Sequence, residues 1–123
     1  MAEENIGSVK ISEEVIAGIA STAACEVDGV ARLSSKGSAS AKEILADYKQ
    51  IAKGVYAGAA PGLVNFCIGA VIKNGVKVQK VSSEIQTKVR DAIETMTGLR
   101  VGEVNVLVVG VSSDKKPSAE NND

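Results

Sequence analysis

Residues 78–111 leave a chain of this size few folds to choose from. Val78, Val81, Ile85, Val89, Ala92, Ile93 and Met96 recur at helical spacing, which predicts a long helix with one apolar stripe. Gly98 follows as the natural stop, because glycine adopts the left-handed conformation without steric cost. "LRVGEVNVLVVGV" then reads as a strand. In it Glu103 and Asn105 alternate with Val104 and Val106, giving one wet face and one dry face. The alternation stops at Leu107, Val108 and Val109, which are all apolar. A strand that is dry on both faces has to be covered on both.

The rest of the chain repeats this logic. Ser12 fits a helix N-cap, and Glu13 and Glu14 suit the positive end of the helix dipole. Val15, Ile16, Ile19, Ala20, Ala23 and Val27 supply a helical stripe to about residue 27, Gly29 ends it, and "VARL" is a short strand. "SVKIS" ahead of the helix is a further strand candidate. "SSKGSASA" is a loop of small residues, and residues 41–52, "AKEILADYKQIA", predict a short helix with Ile44, Leu45, Tyr48 and Ile51 on one face. Pro61-Gly62 marks a hairpin turn, since proline fixes one backbone angle and glycine accepts the positive one. Val64, Phe66, Ile68, Ala70 and Ile72 share one face of its second strand, which Asn74-Gly75 closes.

The order strand–helix–strand, short helix, hairpin, helix–strand predicts an α+β fold. It is a two-layer sandwich, a small mixed β-sheet with two main helices packed on one face. One domain is expected over residues 1–111, with the short helix inside a 34–53 loop. Residues 112–123, "SSDKKPSAENND", read as a disordered polar tail.

Little in the sequence offers chemistry. The chain has no histidine, and its 14 basic and 15 acidic residues leave a net charge of −1, so nothing draws it to phosphate as a whole. Cys25 and Cys67 form no metal-binding or disulfide framework. No dinucleotide-binding or Walker motif occurs. None of the 12 glycines lies three positions from another, which excludes the GxxG loop of a KH module. No cofactor, no metal and no nucleic-acid partner is expected. No run has the length of a membrane span, and the expected location is cytoplasmic.

The face opposite the core is where a function could sit. Leu107, Val109 and Val111 share it, and Cys67 and Val71 join them from the hairpin strand. Together they form a candidate interaction surface. Two covers compete: the 41–52 helix, laying Ile44, Leu45, Tyr48 and Ile51 on that face, or a second subunit.

Three segments carry a family resemblance: "VKISEEVIAGIASTAACEVDGV", the "GV" that opens the hairpin, and "NGVKVQKVSSEIQTKVRDAIETMTGLRVGEVNVLVVGV". Over about residues 8–111 the chain resembles the alkaline-shock and Gls-type general-stress proteins, envelope stress response proteins of Gram-positive bacteria. Its Pro61-Gly62 hairpin is shorter than the usual acidic turn, and Lys73-Asn74-Gly75 replaces an aromatic-plus-glycine strand ending. The resemblance implies a cytoplasmic, non-enzymatic scaffold tied to cell-envelope or membrane homeostasis. Such a protein works through homo-oligomers and protein partners, including a membrane-anchored one that holds it near the membrane. The alternative is a small-ligand-binding regulatory domain linked to lipid or acyl-CoA metabolism.

Overall fold

The computed structural model describes residues 11–36 and 42–115. Helix α1 spans Glu13–Cys25 and β1 spans Val30–Leu33. A single 3₁₀ turn at Ile44–Asp47 leads into β2 (Lys49–Ala52), β3 (Val55–Ala60), β4 (Leu63–Asn74), α2 (Val78–Thr97) and β5 (Val101–Lys115). The expected α+β class holds, with both helices on one face of a mixed sheet. β4 pairs antiparallel with β1 and β3, β2 pairs antiparallel with β3, and β5 runs parallel to β4. That parallel pair needs a long crossover, which α2 supplies.

The caps follow the sequence. Ser12 is extended, and its Oγ accepts from the Val15 N–H at 3.1 Å. Gly98 ends α2 at φ +78, with nothing within 4 Å of where a Cβ would stand. Gly29 is also left-handed, at φ +99, but a Cβ there would lie 2.7 Å from Val81 Cγ2. Gly29 therefore serves two needs, a backbone turn and the close approach of α2.

The core lies between the helices and one sheet face. Phe66, Ile68, Ile72, Ile85 and Ile93 are its largest enclosed side chains, each contributing about 1.5–3 kcal/mol by leaving water. α2 buries Val81, Ile85, Val89 and Ile93, one residue per turn in four-residue steps. α1 buries only alanines: Ala17, Ala20, Ala23 and Ala24. These small side chains let it sit close to the sheet, and Ile16 and Ile19 pack at its flanks. Val15 and Met96, placed on the stripes by spacing, are exposed instead.

Two expectations are corrected. The helix expected over 41–52 is not found among the described residues: over 42–52, one 3₁₀ turn is followed by β2. Lys49 and Gln50 pair with Ala57 and Tyr56, and these ladder bonds outweigh a helical pattern only three turns long. β5 continues to Lys115, past the Val111 at which the sequence reading ends it. Residues 8–10 of the "SVKIS" strand candidate lie outside the described residues, and Ile11 and Ser12 are not in a strand.

Candidate functional site

The site begins with a crowded lane in the sheet. One edge of β4 serves two strands placed end to end. β3 pairs with residues 63–68, and β1 pairs with residues 70–72. Gly69 is the joint: its N–H donates to Gly54 O at 2.8 Å, and its carbonyl accepts from Ser34 N at 2.9 Å. β1 therefore runs toward the start of β3 and cannot continue in the plane. After Leu33 the chain leaves the sheet across the face away from the helices.

Glycines make room for it. A Cβ on Gly69 would overlap the Ser34 carbonyl oxygen. One on Gly54, at φ +73, would stand 2.7 Å from Ser34 N. Ser35 Oγ fastens the crossing by accepting from Gly54 N at 2.8 Å. The chain returns on the same face: a Cβ on Gly58 would lie 2.9 Å from Asp47 O and 3.4 Å from the Tyr48 ring. Tyr48 then reaches across the sheet, and its hydroxyl accepts from Asn105 Nδ2 of β5 at 3.2 Å.

On this second face Tyr56, Cys67 and Val71 are buried. Tyr56 pairs with Cys67 across β3 and β4, so both point to the second face. The Tyr56 hydroxyl is enclosed and has no hydrogen-bond partner among the described residues. Burial pushes the Cys67 thiol from 9.0 up to about 11, so near neutral pH it stays protonated and is a poor nucleophile. Burial also raises Tyr48, the Asn105 hydrogen bond lowers it, and the charges of Cys67, Glu103 and Asp47 raise it further. Among the described residues no group of three or more His, Cys, Asp or Glu side chains could hold a metal ion.

The residues expected to share a surface are distributed as follows. Cys67 and Val71 are sealed inside the chain. Leu107 registers with Gly69 and is half-buried on the second face. Val109 falls in a β-bulge, because Ala70 registers with Val108 and the next residue, Val71, with Gly110. The extra residue flips the pattern beyond it. Val111 therefore sits beside Ile72 on the helix side, 63% exposed, and not with Leu107. The apolar run that broke the alternation is this bulge. Of the proposed accessory face, Tyr48 lies on the second face and Leu45 is half-buried. Ile44 is exposed, and Ile51 packs against the main core. Sequence reasoning missed Tyr56, Asn105 and Ser34; the glycines at 54, 58 and 69 were the available signal.

The fold and this internally sealed face define a small two-layer α+β domain. The chain belongs to the alkaline shock protein (Asp-23) family, a family with a cell envelope-related function, which residues 1–113 match. It is 32% identical over 114 residues to the uncharacterized protein YqhY of Bacillus subtilis, covering 93% of this chain and 84% of that one. It is 31% identical over 107 residues to the uncharacterized YloU of the same organism, covering 85% and 88%. It is 32% identical over 121 residues to the uncharacterized Spy1535 of Streptococcus pyogenes, covering 98% and 91%. No solved structure matches the chain. Among the described residues no helix is long and apolar enough to cross a membrane.

Proposed function

We propose that the protein is a non-enzymatic, cytoplasmic scaffold of the envelope stress response, which acts in cell-envelope homeostasis by self-association and protein partners. The observation that carries this reading is the outer edge of β5. Among the described residues β5 pairs only with β4, and residues 104–111, "VNVLVVGV", contain no charge and no proline. Edge strands are ordinarily blunted by such residues, because open backbone groups recruit another strand. Here α2 covers only the beginning of the edge. Gln86 donates to Val104 O, and Arg90 donates to Val101 O and Gly102 O. Val108 lies beyond that cover, 40% exposed. With Cys67 and Val71 sealed, this edge rather than the second sheet face is the place for a second copy.

Sedimentation velocity tests it. The parent chain should sediment as a concentration-dependent oligomer. Val108→Lys and Val111→Lys, both at exposed positions, should sediment as monomers with unchanged circular dichroism and melting. A monomeric parent, or lysine variants that remain oligomeric, would refute the reading. The second reading, a regulatory domain that binds a small lipid-linked ligand, is favoured by one observation, the enclosed Tyr56 hydroxyl, which has no hydrogen-bond partner among the described residues.

A further inference from the structure

The outer surface of the helix layer carries a groove that neither the core nor the β5 edge uses. α1 and α2 lie side by side, and Ile19, Ala23 and Ala92 line the seam between them. Two of those three are alanines, so the seam is a trough of about 430 Å³ rather than a ridge. At one end Val15 and Met96 stand 52% and 68% exposed, two large apolar side chains on facing helices with solvent as their neighbour.

Charge decides what fits there. Glu14, Glu26 and Asp91 stand along this stretch, and Asp28 and Glu84 continue the line. Lys88 is the sole cation among the lining residues, and Glu26 already holds it at 3.8 Å across the seam. Both side chains of that pair are more than half exposed, so solvent screens it and an incoming cation can replace it at little cost. Arg90 offers no counter-charge, because it turns away to the β5 carbonyls.

We infer that the α1–α2 seam docks a cationic amphipathic helix of a partner protein. Its apolar stripe enters the trough beside Val15 and Met96, and its lysines and arginines meet the carboxylates on the rim. Five carboxylates against one paired lysine repel a phosphate-rich surface, whether lipid or nucleic acid. Two copies laid seam to seam would oppose like charges, so the occupant is not a second copy. The 13 residues of α1 span about 20 Å, which suits a partner helix of three to four turns. This surface is separate from the β5 edge and does not depend on self-association.

The probe is a helical peptide of about 18 residues, with leucines at one face and lysines elsewhere. A twin carries glutamate in place of lysine. Backbone amide shifts locate the binding, and fluorescence anisotropy measures it. The leucine–lysine peptide should shift seam amides of α1 and α2, and the leucine–glutamate twin should not. Glu14→Lys with Asp91→Lys should weaken the first peptide at least about tenfold, and Met96→Ser should weaken it several-fold with the charges left intact. Val108→Lys should bind as the parent does, so a failure of the self-association reading leaves this result standing. The proposal is overturned if the lysine peptide leaves the seam unshifted or if both peptides bind alike. It is equally overturned if charge reversal changes nothing, or if phosphatidylglycerol vesicles shift the same seam amides.

Discussion

On one side of β4, Phe66, Ile68 and Ile72 meet two helices. On the other side, beside the buried Cys67 and Val71, Gly69 meets the chain's own crossing at Ser34. The first cover touches the sheet through branched and aromatic side chains, each needing a partner of matching volume. The second touches it through backbone: the Ser34 carbonyl over Gly69 and the Asp47 carbonyl over Gly58. Helices bring their side chains to a sheet and hold their backbone well away from it, whereas an extended crossing brings the backbone itself. That contact is possible only where the sheet has no Cβ. The same comparison explains why a face with so few large apolar residues still buries Cys67 completely and Tyr56 nearly so.

Filling the gap on the backbone-covered face should have the largest effect. Gly69→Val forces three side-chain carbons against the Ser34 carbonyl, where strand pairing on both edges leaves no slack. The expected cost is about 3 kcal/mol or more, at the upper end of overpacking, read as a drop in the urea midpoint. A Gly69→Val protein as stable as the parent would mean that the connection lifts off the sheet freely, and the comparison of the two covers would fail.

Alkaline pH should produce an intermediate effect. The Cys67 thiol rises from 9.0 to about 11 on folding, so the neutral thiol's contribution is complete below about pH 9. It is lost as pH climbs through the folded value, because ionising the group then favours the unfolded chain. Two units correspond to about 2–3 kcal/mol. Urea denaturation at a series of pH values between about 8 and 11 should show stability declining with pH, and Cys67→Ala should remove part of that decline. A parallel decline in parent and variant would show that the second face is wetter than its burial implies.

The smallest effect should come from Tyr48→Phe. It removes the hydroxyl that accepts from Asn105 and leaves the ring over Gly58 in place. The expected loss is about 0.5–1.5 kcal/mol, read in the same denaturation assay. A much larger loss would mean that the hydroxyl, rather than the ring, holds the connection down.

Several features were legible in the sequence because they depend on local spacing or local backbone geometry. The apolar spacing predicts α2 over residues 78–97, and it occupies Val78–Thr97. The Pro61-Gly62 turn and the glycines at 29 and 98 behave as their chemistry requires. The helical cover over residues 41–52 was not legible. Ile44, Leu45, Tyr48 and Ile51 keep helical spacing, but the pattern is short, and the free edge of β3 offered Lys49–Ala52 a ladder instead. Val111 was misplaced because one extra residue at Val109 reverses the alternation, and a bulge leaves no mark in a run of valines. The second face was visible as a mixed row of Asn65, Cys67, Gly69 and Val71, but what lies over it was not.

The sequence by itself determined which residues form the helices and which face of β4 is the main core, because periodic apolar side chains have to be removed from water together. It also excluded histidine chemistry, since the chain contains none. Tertiary structure alone decided that β1 and β3 share one edge of β4. That crowding pushes the chain out of the sheet at Ser34, and Ser34, Asp47 and Tyr48 lie over glycines of the second face. No local propensity encodes the event, because it arises where two distant strands meet the same row of hydrogen-bonding groups at Gly69.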